Sequence, residues 1–535
     1  MKNLSSFFLG PAIKRSRSMK YLISALSLFF SLSLFAQLPE DALRMSWTTP
    51  SGTARQQAIG GAMGSLGGEI SAAYVNPAGI GMYKTSEFVL SPGFRFQKDF
   101  SNYRGTQTTS NSANNFNIGT SGFVFGLATK DPSNTGNLSL SVNRSANFAS
   151  HIHYQGQNDY SSFSEQYVEE FANSGMSIDQ ALNSNSISYG TRMALYTYLV
   201  DTATVNGATN VIGQPEKVLS AHGILNQLNN SDIKGGITEI GISIAGSTHD
   251  KWFYGGTLGI PVVTYIRDLT FTESDASGVV NNDFATATYT EHYKATGAGV
   301  NLKLGVIYKP SQEWRLGAAV HTPTWYSFTD NLSATMSANT ENYTTSPQPI
   351  EVSSTFFDQA NNTSNGLRYD MFSPWRMLIS GSYIFGGGVV DVKKQKGFIT
   401  FDAEYVTTNS TRYATVDQSA DPNYYKGVND VIKHFYKGTF DVKLGGELKF
   451  NTIAARLGVS YFTNPYRDAS LKANKLFLSG GLGYRNKGIF VDLTYIQGFT
   501  KDVNFPYRLA DKANTYATLK ENVGTVLLTV GFKFP

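Results

Sequence analysis

Cysteine is missing from all 535 residues. That excludes disulfide scaffolds, thiolate zinc sites, thiol catalysis and a lipidated cysteine anchor. Charged side chains are scarce, at 16% against roughly 25% in an ordinary soluble domain. Past residue 36 no apolar run approaches the ~18 residues that a spanning helix needs, so a polytopic helical membrane protein is excluded. A basic surface is missing too. The formal charge of +4 reflects Lys2, Lys14, Arg15, Arg17 and Lys20, which lie before residue 37 with no Asp or Glu among them. The remainder is nearly neutral and offers no basic stripe to nucleic acid. Aromatics are plentiful at 13%, beside 51 glycines, and a chain so aromatic is not extensively disordered.

Residues 21–36 read YLISALSLFFSLSLFA, with Lys14, Arg15, Arg17 and Lys20 before them and Ala36-Gln37 after. A basic stretch, a short apolar core and a small residue at the cut describe a secretory signal peptide. Residues 1–36 are therefore expected to be removed on export, with Met19 as a second candidate start.

Beyond residue 85 the texture is period-two alternation, the mark of strands with two unlike faces. In 440–450, Phe440, Val442, Leu444, Leu448 and Phe450 oppose Asp441, Lys443, Glu447 and Lys449. The last segment sets Val526, Leu528, Val530, Phe532 and Phe534 against Thr525, Thr529 and Lys533. Fourteen strands are expected, at 86–98, 117–129, 137–149, 236–248, 251–273, 285–309, 313–328, 374–386, 396–408, 437–451, 453–464, 475–486, 488–499 and 522–534. Many exceed the roughly 5–6 residues usual in soluble sheets. Aromatics sit near their ends, and every odd-numbered link is longer than its neighbours. Membrane barrels have short turns on one side, longer loops on the other and aromatic girdles at both interfaces, whereas a soluble sandwich has no reason to sort its connections. The expected fold is all-β: an antiparallel 14-stranded transmembrane barrel over 86–535 with a long outer loop at 150–235.

Residues 37–85 do not alternate. Their Gly-rich GGAMGSLGG lacks the Gly-Lys-Ser/Thr of a phosphate loop. The run Ala58-Ile59-Gly60-Gly61-Ala62, then Gly68-Glu69, Ala72-Ala73-Tyr74 and Asn76-Pro77-Ala78-Gly79 resembles the start of the long-chain fatty-acid and toluene transporter family of Gram-negative outer membranes, the FadL/TodX type. The resemblance implies a plugged barrel with 37–85 as an N-terminal hatch. It also implies uptake of hydrophobic molecules without an energy-coupling partner, and exit sideways through a break in the wall once ligand displaces the hatch. Asn76, Pro77, Ala78 and Gly79 are expected to shape the hatch or gate. Pro535 follows Phe534, so the terminal aromatic expected for barrel assembly stands one place early.

In the outer loop Ser162 and Glu165 have capping-box spacing. Phe163, Tyr167 and Phe171 follow at helical spacing as candidate substrate contacts, and Ser177 with Gln180 suggests a second helix start. His151 and His153 share one face of a strand end and are weighed as haem or metal contacts. Asp402 and Glu404 share the lumen face with no nucleophile nearby. No catalytic set, metal site or cofactor is expected. The expected partners are a hydrophobic small molecule, outer-membrane lipid and the barrel-assembly machinery, around a monomer. Competing readings are a barrel serving a protein-secretion apparatus, a haemin-binding protein and a polar porin.

Overall fold

A computed structural model describes residues 39–46, 49–110, 112–127, 131, 133–205, 208–361, 366–386, 395–416 and 422–534. The expected signal peptide lies outside these residues.

Fourteen antiparallel strands close into one barrel. We number them β1 (86–103), β2 (106–127), β3 (135–158), β4 (Leu225–Thr248), β5 (Trp252–Asp275), β6 (Thr286–Tyr308), β7 (314–339), β8 (367–385), β9 (397–415), β10 (Thr439–Phe450), β11 (Ile453–Phe462), β12 (Lys475–Asn486), β13 (Ile489–Asn504) and β14 (Ala517–Phe534). Each pairs with its sequence neighbours, and β14 closes on β1 with Ser86 opposite Phe534 and Gly93 opposite Leu527. Closure pairs the strands all round except at one gap between β2 and β3. Hydrocarbon favours such closure because each unpaired backbone group there costs several kcal/mol.

The alternating apolar faces point outward. Ile240, Ile242 and Ile244 on β4, Leu302, Leu304 and Val306 on β6, Leu444 and Leu448 on β10, and Leu478 and Leu482 on β12 are all exposed. Aromatics bound this belt. At the short-turn end Trp252 stacks on Tyr308 at 4.3 Å and Trp314 meets Tyr383 at 5.0 Å. At the other end Tyr405 meets Phe440 at 4.9 Å and Phe96 faces Tyr495 at 6.4 Å. Polar residues of the same strands point inward, as Ser243, Thr257, Asp402 and Thr529 do, each fully buried. This is the surface of a membrane-spanning barrel.

Several expected boundaries shift, four of them in the first part of the barrel. β1 continues to Tyr103 and β2 begins at Thr106, so the first link is the tight turn Arg104-Gly105, both at positive φ. The long loop expected there does not exist, and the alternation of link lengths begins only at the second link. β3 runs to Asn158 and β4 starts at Leu225, which trims the large loop from 150–235 to 159–224. The reason is common to all four. These strand ends rise beyond the belt, where both faces are wet, and the period-two hydrophobic signal fades.

The loop 159–224 builds a cap from helices Glu165–Ser174, Ile178–Leu182, Tyr189–Tyr196 and Gln214–Ser220 and the hairpin Val200–Val205/Ala208–Gly213. Its core holds Phe163, Tyr167, Phe171, Met193 and Leu195 with Phe271 of β5 and Phe357 of the helix Ser354–Asn361. The second helix starts as expected. Ser177 Oγ accepts from Gln180 N, and Gln180 Oε1 accepts from Ser177 N. At the first start only half the box forms, with Ser162 N donating to Glu165, because the Ser162 hydroxyl is drawn to Glu273 of β5.

Candidate functional site: a lumen cavity and a break in the wall

The N-terminal segment winds once around the inside of the barrel. Gly52 O accepts from Thr120 N of β2. Ala54 N donates to Thr529 Oγ1 of β14, and Ala54 O accepts from Thr494 of β13. Ala58 O accepts from Ser479 of β12. Ile59 and Gly60 lie on Gly458 of β11 and Gly445 of β10 so closely that a Cβ at either glycine would meet Ile59 or Gly60 backbone at 2.0–2.2 Å. Asp402 of β9 accepts from both Met63 N and Gly64 N at 3.0 Å and from Ser380 of β8. Asn137 of β3 donates to Ile80 O, and Tyr83 then leads into β1. The glycines and polar side chains of the inner wall are thus the seat of one spiral segment inside the barrel.

Asn76 pins the far side of the spiral. It is fully buried. Its Nδ2 donates to Gly64 O at 2.6 Å and to Val306 O of β6 at 3.1 Å, and its Oδ1 accepts from Ala78 N. Its backbone is extended, as expected before proline, and Pro77 opens the 3₁₀ turn Pro77–Met82. Ala78 is buried beside Phe253 and Ile307. Gly79 is needed for space and not for a positive φ: a Cβ there would stand 2.8 Å from Ala72 Cβ and Gly67 Cα.

Above the spiral lies a cavity of about 1120 Å³. The helix Pro39–Ser46 enters it, exposing Leu43 and Arg44. Phe163 and Tyr167 from the cap line it, together with Tyr289, Leu332, Phe477 and Phe505. Phe163 stacks on Phe271 at 4.8 Å and meets Tyr167 edge-on at 5.1 Å. Phe171, 2% exposed, sits within the core of the cap and is not part of the lining. Ion pairs lie at the rim of the apolar surface, including Arg267 with Glu291 at 2.6 Å and Arg508 with Glu40. In the cap Glu216 is held up at about 7 by burial and by nearby Glu165, which Lys512 only partly offsets.

The cavity reaches the barrel wall where β2 and β3 part. Their ladder runs from Leu127/Gly136 to Ser121/Val142 and stops. Beyond it β3 carries an extra residue at Ser145, since Ile237 pairs with Ala146 and Thr238 with Arg144. A bulge of this kind bends a strand and leaves one residue unpaired. Across the opening there is no backbone ladder among the described residues, and side chains bridge it: Asn115 Nδ2 donates to Asn147 Oδ1 at 3.0 Å, Thr120 Oγ1 to Asn143 Oδ1 at 2.9 Å and, higher up, Thr108 Oγ1 to His153 O at 3.0 Å. Asn115 Oδ1 and Asn117 Oδ1 are buried and find no hydrogen-bond partner among the described residues. Arg95 and Asn117 line the cavity from within, and Arg144, which shares the outward face of β3 with Val142, lines it from outside. The cavity therefore reaches the gap between β2 and β3. The run Thr49–Gly52 lies behind the opening. Thr49 N donates to Ser145 O, and Ser51 Oγ accepts from Asn143 Nδ2 at 3.0 Å.

The other singled-out residues fall elsewhere. Ile152 lines the cavity, so His151 and His153 take the opposite, outward face, where their rings bond to Asp232 and Asn230. They do not converge on the lumen as a ligand pair. Glu404 is bridged by Arg376 at 3.0 Å and Lys443 at 3.1 Å, while Asp402 holds the spiral. The two carboxylates are therefore structural anchors. Phe534 is exposed at the short-turn end of the belt. The family resemblance at 58–79 implied a hatch and a sideways exit, but the path of the spiral and the position of the gap had no signal in the residues beyond an excess of glycine and the failure of 37–85 to alternate.

No family model matches the chain, and no curated protein matches it. Solved structures do. A crystal structure of a Pseudomonas aeruginosa FadL homologue superposes with a TM-score of 0.53 at 12% identity, covering 92% of this chain and 100% of that one. A crystal structure of the Pseudomonas putida toluene transporter TodX superposes with a TM-score of 0.50 at 13% identity, covering 90% of this chain and 99% of that one. The chain has the fold of the FadL/TodX-type barrels.

Proposed function

We propose that the chain is a channel of the Gram-negative outer membrane that takes up hydrophobic small molecules passively. The cap end faces outward, as the long connections do in such barrels. An apolar solute gains about 0.8 kcal/mol for each methylene it buries, so the cavity under Phe163 and Tyr167 draws it from water. Release is lateral. The observation that carries this reading is the single cavity that reaches from Leu43 and Phe477 to the place where the ladder between β2 and β3 ends. A plugged lumen with no side exit would fit a secretion partner better, and a polar porin would need an open axial path. Both solved structures of this fold named above come from transporters or their homologues, which supports transport over catalysis.

The gate in this reading is the run Thr49–Gly52. Ligand entering the cavity displaces the helix Pro39–Ser46, which draws that run away from the break. Asn76, Pro77, Ala78 and Gly79 act as the fixed floor on which it moves. The chain has no native cysteine, so the test is direct. The pair Ser51→Cys and Asn143→Cys, oxidised in the folded barrel, ties the gate across the break. Uptake of radiolabelled oleate, and in parallel toluene, into cells should fall to background and return on reduction. Full uptake by the crosslinked protein would refute lateral release.

A further inference from the structure

We propose that Lys98, Lys501 and Lys520 form a binding patch for the phosphate of a lipid headgroup on the outside of the barrel. Lys520 of β14 stands directly opposite Lys501 of β13, and its other cross-strand partner is Phe100 of β1. One step toward the membrane, the row reads Lys98, Asn522, Phe499. All three lysines are exposed. They share the outward face of their strands with Phe94 and Phe96, with Val526 and Leu528, and with Tyr495 and Phe499.

Like charges placed directly opposite each other in a sheet destabilise it, and nothing on that face offsets these. None of the three lysines forms an ion pair among the described residues. The nearest carboxylates in sequence, Asp99, Asp502 and Glu521, alternate to the lumen side. Asp502 and Glu521 line the cavity, Glu521 accepts from Thr500, and Asp99 is buried. The outward neighbours Asn102, Thr518 and Asn522 are neutral. Lys234 and Lys294 occupy a comparable level on β4 and β6, but Asp232 and Asp268 stand beside them on the same outward face. The corner at β13, β14 and β1 therefore lacks a counter-charge that the other side of the barrel supplies for itself.

The depth of the patch identifies that counter-charge. The lysines begin where the apolar belt ends, one row above Phe96 and level with Phe499. A lipid whose acyl chains lie on Phe96, Tyr495, Leu493 and Leu528 puts its headgroup at this height. Lysine binds phosphate well as a compact charge, and lysines beside an anionic membrane surface each add attraction. The Lys98 ammonium also lies 5.5 Å from the Phe100 ring centre, which holds it at the rim. A phosphorylated outer-leaflet glycolipid satisfies both contacts with one molecule. β1 also borders β2, so the lipid is fixed one strand away from the break in the wall. The inference rests on the outward orientation of the cap proposed above.

The test uses the full chain reconstituted with equal amounts of a bis-phosphorylated glycolipid and its dephosphorylated counterpart, then re-extracted and weighed by native mass spectrometry. The wild type should retain the phosphorylated lipid. K98Q/K501Q/K520Q should lose about tenfold of that retention, K98R/K501R/K520R should keep it, and K234Q/K294Q should match the wild type. Equal retention by the Gln triple variant overturns the proposal, as does equal retention of the dephosphorylated lipid. Displacement of the lipid by millimolar inorganic phosphate also overturns it, in favour of a free-phosphate site. Uptake is not part of this readout, so failure here leaves the channel reading standing, and failure of uptake leaves the lipid result interpretable.

Discussion

The backbone N–H of Thr49 donates to the carbonyl of Ser145 at 3.2 Å. Ser145 is the extra residue of the bulge in β3 against β4, just past the end of the ladder of β3 with β2. The carbonyl left over by the distortion of the wall is therefore satisfied by the segment that plugs the lumen. Hole and stopper are fastened by one bond, and removing the stopper exposes the unpaired group to whatever passes.

Where the spiral moves can be separated from where it rests. Ser65 and Ser382 are joined hydroxyl to hydroxyl on β8. The oxidised pair Ser65→Cys and Ser382→Cys should leave uptake within about twofold of wild type, because only the run before Ala54 has to shift. A block as complete as that of the Ser51/Asn143 crosslink would make the whole spiral the moving part.

Asn76 and Gly305 are coupled by contact. A Cβ at position 305 would stand 1.8 Å from Asn76 Oδ1. Asn76→Ala breaks buried hydrogen bonds and should cost about 1–3 kcal/mol in the seating of the spiral, seen as steady leak conductance in planar bilayers. Gly305→Ala should leak more. The double variant should leak no more than Asn76→Ala alone, since the clash has lost its partner. Additive leakage would show that the two act separately.

The cap should loosen as pH rises. Glu216 sits at about 7 in the folded cap, above the roughly 4.3 of an unfolded glutamate. The folded form thus holds its proton longer, and stability is lost as pH climbs between those two values. Proteolysis within 159–224 of the reconstituted barrel should quicken from pH 5.5 to pH 8. In Glu216→Gln the change across that range should be clearly smaller, the remainder belonging to Glu273, which burial also raises to about 7. A Gln variant that keeps the full pH response would assign it to another group.

The belt can be probed at Leu457, 74% exposed near the middle of β11. Leu457→Arg should cost about 2–4 kcal/mol in a bilayer, as a cation does at the midplane. The same change in detergent should cost far less. Equal costs in the two media would mean that this face does not meet hydrocarbon.

The parts of the fold that could be read from the sequence were those where the two faces of a strand meet different solvents. Leu444 alternating with Lys443 and Gly445 marks β10 because one side is lipid and the other lumen. The same rule is silent over Asp99–Ile118 and Leu225–Gly235, where both sides are polar, and there the boundaries moved. Phe163 and Tyr167 were found because a helix repeats its apolar face, but the spacing that picked them also picked Phe171, which turns into the core of the cap. The break in the wall is a matter of register. One surplus residue at Ser145 creates it, and no local composition records that. The lysine pair across β13 and β14 is likewise a register fact, since Lys501 and Lys520 become neighbours only once those strands are aligned.

The N–H of Ala54 reaches Thr529, 475 positions along the chain, and each later step of the inner spiral leans on a different stave. Residues made early in the chain thus depend for their seat on the strand made last. Until the final strand arrives there is no complete seat for them, and a chain cut short of β14 would carry its own stopper unattached. Correct seating of the N-terminus is therefore a built-in record that assembly has finished.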